Sequence, residues 1–349
     1  MYGFELVHYI LMSRTILVRL GLSLLVIGIL TGIAFSLPTL LARSIAYERA
    51  QSFALMQQAF PVTVDPLSKR IVEDPHVNAF LESPASPLQA AAGNLGEVVH
   101  TIFTWLAVSI ADLPLYQSLA ASDGRLVNIT PGMRKEQVAA TFAKVLGWSN
   151  EEKKQFLTTT PYASLPLSEG SYLPGVYVIE RGATPLRAQE LVNERFTENI
   201  LSHYSTTTAR IVPLIQALTI ASLIEREAGG GDDMRMISGI IWNRLFINMN
   251  LQIDATLQYA KANTRATDYW WPQIMPGDQF RKSPYNTYLH AGLPPTPIAN
   301  PSVASVLAAL NPKNTSCLFY FHDASSGFHC STTYAEHVAL LKQYYGRGK

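Results

Sequence analysis

Residues 20–41 carry no charge and are built almost wholly from Leu, Ile, Val, Ala and Gly. About 20 apolar residues at roughly 1.5 Å rise cross a hydrocarbon layer of roughly 30 Å, so the run predicts one membrane-spanning helix. A secretory signal peptide has a shorter apolar region and ends at a small-x-small cleavage site. The stretch from residue 38 to 47 offers only poor versions of such a site, and an uncleaved anchor is expected. Arg14 and Arg19 precede the span while Arg43 and Arg49 follow it. Arg19 abuts the apolar run and tips the N-terminus inward. Residues 1–19 are then cytoplasmic, and the chain beyond residue 41 lies outside the cytoplasm.

Residues 42–125 read as an irregular, helix-leaning connector punctuated by Pro61, Pro66 and Pro75. Its apolar stretch at 98–110 is too short for a second span. The pattern sharpens at residue 126. Leu126-Val-Asn-Ile129 alternates like a short strand and Thr130-Pro-Gly132 is a turn. Residues 135–146 then place Val138, Ala139, Phe142, Val145 and Leu146 at helical spacing. Ser149 with Glu152 three positions on opens a further helix. Residues 167–177 form an aromatic loop and strand, and 184–202 a helix with Leu186, Leu191, Val192 and Phe196 on one side. The fold class is therefore α+β. Residues 126–205 make a small α+β unit with its linking region, and 206–349 a domain mixing helices with antiparallel strands.

Between residues 211 and 245 the periodicity isolates one polar group. Pro213 suits a helix start, and Leu214, Ala217, Leu218, Ala221 and Ile224 form the apolar face of that helix. Glu225 stands at i+4 from Ala221 and i+7 from Leu218, so it projects from the same buried side. Glu227 lies ~200° further round and is expected to be solvated. Gly229-Gly-Gly231 ends the helix, and Asp232 or Asp233 can cap the next, whose Met236, Ile237, Ile240, Ile241 and Leu245 face inward. A carboxylate on an apolar face is desolvated and its pKa rises, which suits a general acid. The plainer alternative is an ion pair with Arg226 or Arg244.

Charge and composition narrow the partners. The formal net charge is +1 and there is no basic run, which excludes a nucleic-acid binder and favours a neutral or mixed polymer. Two cysteines, Cys317 and Cys330, are too few for a disulfide scaffold or a Cys-rich zinc site. They flank the turn Asp323–Gly327 and are either bridged across it or two separate thiols. The eight histidines have no metal-ligand spacing and no phosphate loop is present, so neither a metal nor a cofactor is expected. His337 reads as structural.

The ordered motifs resemble a known family. Ala221-Ser-Leu-Ile-Glu-Arg-Glu-Ala228, Asn243-Arg-Leu245 and Leu251-Gln-Ile-Asp-Ala-Thr-Leu-Gln-Tyr259 are similar to the endolytic murein transglycosylases, the MltG or YceG-like family. So are Ser283-Pro-Tyr-Asn-Thr-Tyr288, Gly292-Leu-Pro-Pro295, Asn300-Pro301 and Tyr334-Ala-Glu-His337, with Glu169-Gly-Ser-Tyr-Leu-Pro174 upstream. The resemblance runs over roughly residues 126–345. It implies a small LysM-like domain packed on a catalytic domain, and an enzyme that cuts peptidoglycan glycan strands to 1,6-anhydro ends. It also implies Glu225, the first glutamate of the pair, as the acid/base. A bacterial inner-membrane anchor with the C-terminal domain in the periplasm fits that reading, with glycan strands, the membrane and cell-wall synthases as partners. Gln252, Asp254, Tyr285, Asn286 and Tyr288 are the candidate substrate-binding residues, against turn capping for Asp254 and a structural loop for the others. Rival readings are a non-catalytic glycan-binding scaffold and a hydrolytic muramidase, which needs a second carboxylate. Two positions depart from the family pattern. Ala255 stands where proline is usual, and Gly327-Phe-His-Cys-Ser331 shifts the histidine by one position. On a strand that shift turns His329 to the other face, so no role is assigned to it.

Overall fold

A computed structural model of the chain describes residues 59–82, 124–158, 168–229, 233–262 and 269–346. The expected membrane span at 20–41 lies outside the described residues, among which no helix is long and apolar enough to cross a membrane. Residues 59–74, expected within a helix-leaning connector, instead make a small hairpin of β1 (Val64–Asp65) and β2 (Arg70–Ile71), followed by α1 (Pro75–Glu82). This segment docks on the C-terminal half of the chain. Thr63 donates its N–H to the Leu310 carbonyl (3.1 Å), and Asn311 donates to the Pro61 carbonyl (2.9 Å).

The α+β unit follows the sequence pattern closely. Strand β3 (Gly124–Ile129) leads into α2 (Lys135–Leu146) and α3 (Asn150–Thr158), then β4 (Gly175–Glu180) and α4 (Pro185–Asn199). Ser149 and Glu152 form the expected reciprocal cap on α3 (2.8 and 3.2 Å). Strands β3 and β4 pair antiparallel from Gly124 opposite Glu180 to Ile129 opposite Gly175. Their inward Val127, Ile129, Tyr177 and Ile179 bury with Val138, Phe142 and Phe156 to form one core. Leu186, placed by its spacing on the buried side of α4, is 44% exposed.

The second core forms around α6 (Leu214–Glu227), preceded by the single-turn α5 (Thr206–Ile211). Helices α7 (Met234–Phe246), α8 (Asp254–Ala262) and α9 (Val303–Leu310) pack around α6. Residues 217–224 of α6 are buried without a break, so neighbours surround this helix on all sides. The chain closes with the hairpin β5 (Phe319–His322) and β6 (Phe328–Ser331) and with α10 (Tyr334–Tyr345). Cys317 and Cys330 form a disulfide, which settles the alternative left open by their spacing.

Asn300 joins the two cores. It is fully buried, and its amide oxygen accepts from the N–H groups of Gly170 and Tyr172 (2.9 and 3.0 Å). Its amide nitrogen donates to the Met133 carbonyl (2.9 Å) and to Glu169 (3.1 Å). Gly170 lies against Pro297 so closely that an added Cβ would stand 2.8 Å from the ring's Cγ. Glu169 is buried in the same seam, where desolvation, reinforced by the negative Glu136, pushes its carboxyl up to about 8. A raised folded-state value means stability is fully present below the ordinary glutamate range and is lost as pH climbs through the folded value. We expect Glu169→Gln to remove the decline in thermal stability between pH 4.5 and about 8. An unchanged stability–pH curve in the variant would show that Glu169 titrates normally.

Candidate functional site

The last turn of α6 sends its two glutamates to opposite sides of the helix. Glu225 meets the N-terminus of α9. Its Oε2 accepts from the Ser302 N–H (2.8 Å), the Ser302 hydroxyl (2.7 Å) and the Ser305 hydroxyl (2.7 Å). Ser302 is the N-cap of α9, so the carboxyl group complements free N–H groups and the positive end of the helix dipole. Neither ion pair considered for Glu225 forms. Arg226 lies over the Trp271 ring (3.9 Å), and Arg244 donates to the carbonyls of Leu318 (2.7 Å) and Leu251.

Glu227, expected in solvent, instead borders a cleft of about 700 Å³ walled by α7, the N-terminus of α8, β5 and α10. The Tyr320 hydroxyl donates to its Oε2 (2.9 Å), and the Ala255 N–H at the start of α8 donates to it as well. Burial pushes the Glu227 carboxyl upward, and the neighbouring Asp254 charge adds to this. The Tyr320 and Ala255 hydrogen bonds and the Arg226 charge oppose it. Helical periodicity puts Glu227 in water only if α6 has a single buried face. A second wall, built by β5 and α8, stands where water was expected.

Three of the five candidate binding residues gather in this cleft: Gln252, Asp254 and Tyr288. Gln252 holds a left-handed backbone (φ 50°) with its N–H on the Thr287 carbonyl (3.1 Å). The Tyr288 hydroxyl donates to Asp254 Oδ1 (2.6 Å). The other two do not line the cleft. Tyr285 packs at a tilt against Tyr259 (4.7 Å between ring centres) and hydrogen-bonds Thr296 (2.8 Å). Asn286 is fully buried, bonding the carbonyls of Gln279 and Arg281 (2.9 and 2.8 Å) and accepting the Tyr288 N–H (2.9 Å). It shapes the loop that presents Tyr288.

Further cleft residues include a stretch without a motif of its own. Strand β5, Phe-Tyr-Phe-His, lines one side with all four residues, and Tyr334 and His337 of α10 extend that side. The aromatic run itself was the available signal. Burial lowers the His337 imidazole, and its ring stacks on Phe319 (5.6 Å). His322 meets Asp233 (2.5 Å), whose carboxylate also takes the Gly229 N–H (2.9 Å). Asp233, one of the two candidate caps, stands at the start of α7 without capping it through its side chain, which holds the Gly229 N–H instead. His329 pairs with Asp323 (2.7 Å) and lies outside the cleft lining.

Fold and site together define an α+β protein that presents a shielded carboxyl group in an aromatic cleft. A sequence model of the YceG-like family matches residues 108–343, well over half of the chain. The chain belongs to the YceG-like family. The endolytic murein transglycosylase of Bacillus subtilis (strain 168) is 29% identical over 239 residues, covering 62% of this chain and 64% of the relative. The endolytic murein transglycosylase of Streptococcus pneumoniae serotype 2 (strain D39) is 29% identical over 162 residues, 46% of this chain and 29% of the relative. The chain thus spans less than two thirds of the length of these curated relatives. A crystal structure of a YceG-like protein from Listeria monocytogenes superposes with a TM-score of 0.54 at 26% identity, covering 62% of this chain and 75% of that one.

Losing the Glu225 carboxyl leaves the Ser302 N–H and two hydroxyls without their acceptor. We expect Glu225→Ala to cost about 2–4 kcal/mol in chemical denaturation, the range for charge-assisted hydrogen bonds and an uncapped helix end together. No measurable loss would mean that α9 is held without it.

Proposed function

We propose that the chain is a lytic transglycosylase that cleaves the N-acetylmuramic acid–N-acetylglucosamine bond of peptidoglycan, with Glu227 as its acid/base. The observation that carries this reading is a carboxyl group in an aromatic cleft, its pKa pushed upward by burial and by the adjacent Asp254, and oriented by Tyr320. The names of the curated relatives supply the substrate class. Glu225, the first choice from the sequence, is assigned to holding α6 on α9.

Protonated Glu227 gives its proton to the glycosidic oxygen as the bond to C1 breaks through an oxocarbenium-like state. The resulting carboxylate then takes the proton of the muramyl C6 hydroxyl, which attacks C1 and closes the 1,6-anhydro ring. The Tyr320 and Ala255 donors favour the carboxylate as it forms, while the Asp254 charge favours the acid form before the reaction. These opposing influences let one group serve both steps. Asp254, held by Tyr288, also places negative charge beside the cationic sugar ring. Gln252 supplies hydrogen-bonding groups and the aromatic wall supplies apolar surface for sugar faces.

The cuts are internal to the glycan strand, as the names of the relatives state for those proteins. The enzyme is anchored in the inner membrane by residues 20–41 and works in the periplasm beside the cell-wall synthases; a C-terminal reporter fusion tests that orientation. Purified glycan strands incubated with the full chain should yield 1,6-anhydro ends by mass analysis. Reducing ends would indicate a muramidase, and binding without cleavage a scaffold. Glu227→Gln should lower product release by roughly 10²–10⁴-fold in a folded protein, while Glu225→Gln keeps measurable turnover. An active Glu227→Gln variant would overturn the assignment.

A further inference from the structure

Strand β5 is the most heavily used wall of the cleft, yet its only strand partner among the described residues is β6. A two-stranded hairpin is marginal without outside support. Helix α10 packs against both strands, and two further supports bear on β5. Helix α7 holds the entry to β5, with Asn243 donating to the carbonyls of Thr315 (2.7 Å) and Cys317 (3.2 Å), and Arg244 donating to Leu318 (2.7 Å). The second support is covalent. Cys317, two residues before β5, is bonded to Cys330 in β6, and Cys330 is the residue directly opposite Tyr320 in the ladder. Tyr320 is in turn the residue whose hydroxyl reaches Glu227 (2.9 Å). A continuous path therefore runs from α7 through the disulfide to the carboxyl group in the cleft.

We propose that the Cys317–Cys330 disulfide is a positioning device for the acid: it fixes β6 beside β5, keeps the Tyr320 hydroxyl on Glu227, and makes turnover depend on the oxidised state. This rests on the reading of Glu227 as the acid/base. Reduction by a dithiol breaks the S–S bond and forms two thiols. The two electrons and two protons come from the reductant, which closes to its own disulfide. The fully buried residues of both cores and the Glu225 contact with α9 lie outside the hairpin, which reaches the α6 core only through the half-buried Tyr320 and Phe328, so the fold persists while the wall loosens.

A merely structural bridge would change stability alone, whereas this one also has a titration signature. The Tyr320 bond favours the Glu227 carboxylate, so its loss leaves burial and Asp254 less opposed and moves the titration of Glu227 upward. The other groups facing Glu227 stay in place: Arg226 on α6, and Asp254 with the Ala255 N–H on α8. Arg244 on α7, Tyr288, His322 on β5 and His337 on α10 border the same cleft.

The test uses the full chain, oxidised and after dithiol treatment, with thiol content read by mass, beside Cys317→Ser/Cys330→Ser and Tyr320→Phe. We expect reduction to lower kcat about tenfold, the worth of one hydrogen bond to a charged group. KM should change little and the alkaline limb of the pH–rate profile should move up. Tyr320→Phe should reproduce both effects, and reducing it should add almost nothing. Unchanged kcat and pH profile with both thiols free would overturn the proposal, as would effects of reduction and Tyr320→Phe that simply multiply. If the double serine variant fails to fold, dithiol treatment of the folded protein decides alone. An active Glu227→Gln variant sinks the acid assignment itself. An inactive one with a redox-insensitive wild type sinks only the role of the disulfide.

Discussion

Three hydrogen bonds converge on one oxygen of Glu225, and the arrangement of the C-terminal domain follows from them. They fasten the last turn of α6 to the first turn of α9, a side-chain acceptor on one helix meeting the donors at the start of the other. The position of Glu227, two residues along the same turn, is fixed by that contact. Asn300, two residues before the Ser302 cap, carries the constraint on into the α+β unit through Gly170, Tyr172 and Met133. A short segment at the start of α9 thus holds both cores and the end of the helix that carries the proposed acid.

The cleft shows how a carboxyl group can be balanced between two states. Burial and a neighbouring negative charge favour the neutral acid, while the Tyr320 hydroxyl and a backbone N–H at the start of α8 favour the anion. Neither set alone would suit a group that must first release a proton and then recover one. Among the described residues Glu227 has no ion pair, which matters as much as the presence of its donors, since a guanidinium fork would hold the anion permanently. The arginines beside it are otherwise occupied, Arg226 with Trp271 and Arg244 with two carbonyls.

Much of the architecture was legible in the sequence where the period was clean. The helix at Lys135–Leu146, the cap at Ser149 and the strand ending at Ile129 fall where the pattern puts them. The glutamate proposed as the acid was harder to read. Periodicity assigns one buried face per helix, but residues 217–224 of α6 are enclosed on every side, and the stretch from Ile211 to Ile224 already contains the hint because it holds no charged residue. In an enclosed helix the angle of a side chain does not tell water from a second packed wall. Gln252, Asp254 and Tyr288 line the cleft, whereas Tyr285 and Asn286 have the same polar and aromatic character but support the loop from within. Strand β5 was missed because four consecutive aromatic-type residues show no alternation.

The tight approach of Gly170 to Pro297 has a consequence for how this architecture can be reshuffled. There is no space at that joint for even one methyl group, and the glycine backbone there is left-handed (φ 95°). The α+β unit is therefore not an interchangeable module that could be lifted onto another scaffold by cutting its linkers. A transplant would have to bring the proline, the asparagine and the start of α9 with it, so the two halves are constrained to diverge together.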